Sequence, residues 1–192
     1  MTAKQGASLN ASSMLNYGGT EMSGPKRGWE KAAGIVAAAG GQIVGRTKLQ
    51  KIAYLLELRG LGYGFEFEYR HYGPYSEELS DAIKIAGAFG LVNEEERRAT
   101  WGGMYSIYSS GSQDRGDGQR AAFAGAAVGV GAIELELAAT AAYLHVVEHC
   151  ADPWGETKRR KPEKATDERL RAAKEAYARL ASLPAPRPLP RI

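Results

Sequence analysis

T-K-L-Q-K-I-A-Y-L-L-E-L-R-G at 47–60, F-E-F-E-Y at 65–69 and Y-G-P-Y-S-E-E-L at 72–79 are the segments that decide the fold. In the first, Leu49, Ile52, Ala53 and Leu56 follow the i, i+3, i+4, i+7 spacing of an amphipathic helix. Thr47 and Gln50 have capping-box spacing, in which each side chain satisfies a first-turn N–H. Gly60 supplies a left-handed C-terminal cap. Lys48 and Lys51 fall off the apolar stripe and are expected to face water. The second segment alternates apolar and charged residues, the period of a strand with one buried face. In the third, Pro74 fixes its own φ and keeps Gly73 out of the helical region, so a turn is expected there. Ser76 then stands as an N-cap, with Glu77 and Glu78 where the helix dipole favours negative charge. Leu79, Ala82, Ile83, Ala86 and Phe89 form the expected buried stripe of that helix, and Gly90 ends it.

Beyond this block, Leu91-Val92 and Met104 to Tyr108 read as antiparallel strands, with Asn93 to Gly103 as the loop between them. Helix, helix, wing is the order of a winged-helix domain. Upstream, residues 28–39 place Trp29, Ala32, Ala33 and Val36 on one helical face, ended by Gly40-Gly41. Residues 1–24 are rich in Ser, Gly, Asn, Ala and Thr without periodicity and are expected to be a disordered tail. Downstream, Gly111 to Gly118 is a polar loop. The Ala/Gly run from Ala121 to Gly131 is ambiguous, since its glycines weaken any helix. Ile133 to His149 reads as a helix with Ile133, Leu137, Ala141, Leu144 and Val147 inward. Pro153 and Pro162 bracket a basic loop, and residues 164–182 form a charged helix with a stripe of Leu170, Ala173, Tyr177 and Leu180. The ending P-A-P-R-P-L-P-R-I, from 184 to 192, is expected to be an extended tail. The fold class expected is α+β, mainly helical: a winged-helix-like core with a small antiparallel sheet, buttressed by two C-terminal helices, in a single domain over 25–183.

Composition narrows the function classes. No stretch reaches the ~18 uncharged apolar residues of a membrane span, no secretory signal is visible, and the single cysteine, Cys150, cannot form an internal disulfide. These features point to the cytoplasm. The net charge of +3 is uneven. From Asp152 onward there are 11 Lys/Arg against 6 Asp/Glu, whereas the rest holds 14 against 16. A nucleic-acid binder carries its positive charge on the reading element, and here the fold-defining part is slightly acidic.

L-Q-K-I-A-Y-L-L (49–56), Y-G-P-Y-S-E-E-L (72–79) and G-L-V (90–92) resemble the Panacea-domain family and the related YwgA-like uncharacterised bacterial proteins. The later E-L-E-L-A-A-T-A-A-Y-L with its downstream R-R-K-P is similar to the C-terminal half of such proteins. The resemblance covers residues 28–183. Panacea domains are associated with antitoxins of bacterial and phage toxin–antitoxin pairs, including the SocA type, where the domain works through protein contacts. The resemblance therefore implies a protein-binding, antitoxin-like role with a toxin-like partner.

The candidate residues divide between two readings. For a protein partner, the exposed side of the 47–59 helix and the turn from Tyr72 to Glu78 offer Lys48, Lys51, Tyr72, Tyr75 and Glu78; tyrosine is favoured at interfaces. For DNA, the cations are Arg46, Lys48, Lys51, Arg97 and Arg98. The helix in the reading position, however, leads with Glu77, Glu78 and Asp81, which phosphates would repel. Glu94-Glu95-Glu96 likewise precedes the wing arginines. His145, His149 and Cys150 form half of a zinc site at most, because His71 is the only other histidine. Glu134 and Glu136 diverge by about 200° on a helix and cannot act as a pair. No G-x-S-x-G, P-loop or Rossmann fingerprint occurs. No catalytic residue, cofactor or metal is expected, and only a deep polar pocket would reopen an enzymatic reading. Lys158 to Lys161 is a solvated linker by default, with contact to an acidic partner or to nucleic acid as the alternative.

Overall fold

The computed structural model describes residues 26–100, 102–112 and 116–192. The expected tail at 1–24 lies outside them. The chain orders as α1 (Gly28–Ala38), β1 (Gln42–Val44), α2 (Arg46–Leu58), β2 (Glu68–Arg70), β3 (Gly73–Tyr75), α3 (Glu77–Ala88), β4 (Asn93–Arg98) and β5 (Met104–Ser109). Four helices follow: α4 (Gly118–Val128), α5 (Ala132–Val146), α6 (Pro153–Arg160) and α7 (Asp167–Ala181). The protein is thus a mainly helical α+β structure. Its sheets are small: an antiparallel sheet in the order β1-β5-β4 and a separate antiparallel pair, β2-β3.

α2 runs through the middle. Every residue from Leu49 to Leu56 is buried, because α4 and α5, β3, α1 and the β1/β5 edge all pack against it. The expected stripe of Leu49, Ile52, Ala53 and Leu56 is at most 1% exposed. Deleting such a side chain to alanine costs about 2–5 kcal/mol. Enclosure on several sides also overturns the expectation for the lysines, for Lys51 is only 1% exposed. The helix begins without the expected capping box: Arg46 is its first residue, and the N-cap Gly45 (φ 100°) offers no side chain. Gln50 instead bonds across to the β3–α3 junction. Gly60 does end α2, at φ 68°, with Leu61 N–H donating to the Leu56 carbonyl at 2.9 Å.

Several boundaries differ from the sequence reading. Phe65 and Phe67 turn inward as the alternation requires, but ladder pairing starts only at Glu68. The Gly-Pro segment is a strand, not a turn: Tyr69 opposes Pro74 and Arg70 opposes Gly73. A proline is tolerated there because the two-stranded sheet leaves that edge unpaired. Gly73 adopts φ 82°, and a Cβ at this position would run into Thr140 Oγ1. The segment from Asn93, expected to be loop, is the strand β4, paired with β5 from Asn93↔Ser109 to Arg98↔Met104. Its six residues are all exposed, so no apolar alternation marks it. The Ala/Gly run forms α4. The expected basic loop is largely the helix α6, which Asp152 caps by accepting from Gly155 N–H at 3.0 Å.

Ser76 caps α3 as expected, accepting from Leu79 N–H at 3.2 Å. Phe89, expected inside, is 64% exposed and stacks on Trp29 with ring centroids 5.3 Å apart. α5 packs on α2, α6, α7 and β3; Val147, expected inward, lies past its end and is exposed. The two C-terminal helices expected are α5 and α7, with α4 and α6 flanking them. The proline-rich terminus is extended yet docked. Leu189 is buried, Tyr177 Oη donates to the Pro190 carbonyl at 2.9 Å, and Arg187 N–H donates to the Arg59 carbonyl at 3.1 Å. The buried Arg59 guanidinium donates to the Ala181 and Leu183 carbonyls. No helix among the described residues is long and apolar enough to cross a membrane.

Candidate binding cavity and the adjoining helix face

The first turn of α2 opens onto a cavity of about 750 Å³. Every residue from Gly45 to Lys51 contributes to its wall. Tyr72 and Tyr75 close one side from the β2-β3 hairpin, and Ser80, Ile83 and Lys84 enter from α3. The β4-β5 hairpin supplies Glu94, Glu96, Met104, Tyr105, Ser106 and Tyr108. The fold therefore assembles Lys48, Lys51, Tyr72 and Tyr75 around one space, as the protein-partner reading grouped them. Glu78 is not among them and lies exposed on α3. No histidine or cysteine lines the cavity.

The charges here are mostly engaged within the fold. Arg46 bridges α2 to β4, bonding Glu94 at 3.3 Å and Glu96 at 2.5 Å. Burial works against the charge of Glu94, but Ser106, Tyr108 and Arg46 outweigh it and hold this carboxyl below its usual range. Lys48 donates to the Val128 carbonyl at 2.9 Å. Partial burial lowers its pKa, with Glu134 opposing. Lys51 donates to the Pro74 carbonyl at 2.7 Å. Its burial lowers the pKa to about 7; Glu136 opposes the shift, and Lys161 and Lys164 add to it.

Behind Lys51 lies an ionic cluster that the sequence did not signal. Glu136, on the buried side of α5, accepts from Lys161 at 2.8 Å and from Lys164 at 2.8 Å. Lys161 also donates to the His71 carbonyl at 3.0 Å, and Lys164 sits 4.5 Å from the Tyr72 ring centroid. The hairpin is thus held from beneath by two ammonium groups, Lys51 on Pro74 and Lys161 on His71. Gln50 fixes its outgoing end: its amide donates to the Ser76 carbonyl at 3.0 Å and accepts from Ser76 N–H at 2.8 Å. The spacing of Glu134 and Glu136 is sufficient to deny them a paired role, but it carries no hint that Glu136 is the buried anchor of two lysines.

Outside the cavity, the outer face of α3 presents Glu77, Glu78 and Asp81, then Ile85 (41% exposed) and Phe89, with Leu91 just beyond. The residues grouped for DNA contact do not form a free basic surface. Arg46 is paired with two glutamates, Arg97 with Glu95 at 2.7 Å, Lys48 and Lys51 with carbonyls. Only Arg98 lies exposed without such a bond in the described structure. His145 closes the last turn of α5, whereas His149 is beyond it with φ 54°. The two imidazoles therefore do not share a helical face, and no metal-holding group of His, Cys, Asp and Glu occurs among the described residues.

The chain is similar to the uncharacterised protein YwgA of Bacillus subtilis, with 34% identity over 74 residues, 38% of this chain and 45% of that protein. The chain thus spans less than half the length of that curated relative. No family model matches the sequence. The likeness agrees with the YwgA-like side of the resemblance drawn from the motifs.

Proposed function

We propose that the chain is a non-catalytic protein-interaction module of winged-helix type, antitoxin-like in the Panacea sense, that binds and neutralises or delivers a toxin-like partner. The supporting observation is the outer face of α3. In a winged-helix domain this is the surface that meets a ligand, and here Glu77, Glu78 and Asp81, of which Glu77 pairs with Arg70 and Asp81 with Lys84, lead into an exposed apolar patch of Ile85, Phe89 and Leu91. Such a face suits a polypeptide, whose apolar anchors bury area and whose basic groups find the acidic tip. A phosphate backbone would meet repulsion. The order helix, strand, helix, hairpin, helix, hairpin, with β5 between β1 and β4, supports the winged-helix reading. The cavity supplies no nucleophile–base arrangement built on His or Cys, so the interaction reading is preferred to an enzymatic one.

A photo-crosslinking amino acid at position 89, in cells of the native host, tests this. One discrete protein adduct at 89, absent when the probe stands at exposed Glu175 on α7, is expected. Loss of that adduct on Ile85→Glu would place the contact on α3. Crosslinks to DNA, or equal protein adducts at both positions, would contradict the reading.

A further inference from the structure

We propose that the cavity is a binding site for an anionic oxygen group, a carboxylate or phosphate carried on a partly apolar body, seated against the first turn of α2 between Lys48, Lys51 and Tyr72. The inference goes beyond the partner reading and does not require it, since a free small molecule would satisfy the same chemistry.

Two observations converge. First, α2 starts with a glycine cap and no capping side chain. The leading N–H groups of a helix have no intrahelical acceptor and carry the positive end of the dipole, and the whole of this turn forms cavity wall. Second, Lys51 on that wall is 1% exposed, and its only bond within the protein is to the neutral Pro74 carbonyl. Glu136, the nearest carboxylate, is already bonded by both Lys161 and Lys164. Lys51 therefore has no carboxylate of its own, and carrying its charge in this buried position is costly. An anion in the cavity supplies what is missing. The two carboxylates in the wall, Glu94 and Glu96, are both held by Arg46, which limits their repulsion of an incoming anion. The tyrosines and the apolar Leu49, Ile83 and Met104 call for more than a bare ion: a volume of 750 Å³ is that of an organic ligand or a short peptide segment.

The test uses the full chain, labelled with ¹⁵N, and three probes: inorganic phosphate, a capped Glu-Phe-Glu peptide and its Gln-Phe-Gln counterpart. Expected is a saturable movement of the Arg46, Thr47 and Lys48 amide resonances with a charged probe and none with the neutral peptide. Lys48→Met and Lys51→Met should each weaken it by roughly tenfold, while the remaining resonances keep their dispersion. Should Lys51→Met fail to fold, Lys48→Met alone decides. Response to phosphate alone would support a phosphate-bearing ligand, and response to Glu-Phe-Glu would support a carboxylate, whether on a polypeptide or on a free acid. No saturable shift at 46–48, an equal response to Gln-Phe-Gln, or unchanged affinity in the lysine variants would overturn the proposal.

Discussion

Lys51 carries a cost that can be read directly in a pH titration. In the unfolded chain its pKa is near 10.5, and in the native protein burial brings it to about 7. Between those values the unfolded state holds a proton that the native state lacks, so stability rises with pH across this window. The slope is up to about 1.4 kcal/mol per pH unit. Below about pH 7 both states are protonated and the cost is fully present. Glu136, Lys161 and Lys164 face the same ammonium and remain in a Lys51→Met variant. The wild-type unfolding free energy should therefore gain on that of Lys51→Met by on the order of 2 kcal/mol between pH 7 and pH 9. Urea denaturation at both pH values checks this, and parallel curves would refute it. The residue was misjudged in the sequence for a definite reason. A single-period stripe describes a helix with one buried face, while α2 is covered by neighbours on several sides, information that resides in other elements.

Among the elements, the β2-β3 hairpin is the one whose placement governs the candidate site. It brings Tyr72 and Tyr75 to the cavity, and Gln50 satisfies both backbone groups of Ser76 where the hairpin passes into α3. Removing that amide leaves the buried Ser76 N–H unpaired, while the Ser76 carbonyl keeps the bond from Ser80 N–H at 3.1 Å. At about 1–3 kcal/mol for one such group, Gln50→Ala should lower stability by roughly 2 kcal/mol and accelerate hydrogen exchange at the Ser76 amide. An unchanged denaturation midpoint with unchanged exchange would mean the clamp contributes nothing. The helices α1, α2, α3, α5 and α7 were legible because each has an apolar stripe, and the caps at Ser76 and Gly60 behave as their residue types require. β3 was not legible, because Gly-Pro signals a turn unless a free sheet edge makes the missing N–H harmless. β4 was hidden because both its faces are wet. α6 was read as loop because its prolines were taken as brackets, although Pro153 follows the N-cap Asp152 and suits a helix start. Of the candidate site, the grouping of Lys48, Lys51, Tyr72 and Tyr75 was visible from sequence. The cluster around Glu136 was not, since it joins α2, α5 and the α6–α7 junction across long separations.

Across the whole molecule, several basic side chains are engaged by partners within the fold, while others, Arg171 and Arg179 on α7 among them, lie exposed. Arg46 ties α2 to the β4-β5 hairpin, Arg59 holds the carbonyls of the docked C-terminal segment, Arg160 bonds Glu148 and Glu156, and Lys161 with Lys164 close on Glu136. On the proposed reading it is the outer face of α3, acidic and then apolar, that meets a partner, and this partner is a polypeptide and not a nucleic acid. The measurement that tests this most directly is fluorescence anisotropy of a labelled mixed-sequence duplex titrated with the full chain at about 50 and about 200 mM salt. The account predicts no binding at the lower salt. Tight binding there that falls steeply at the higher salt, and falls further on neutralising Arg98, would contradict it.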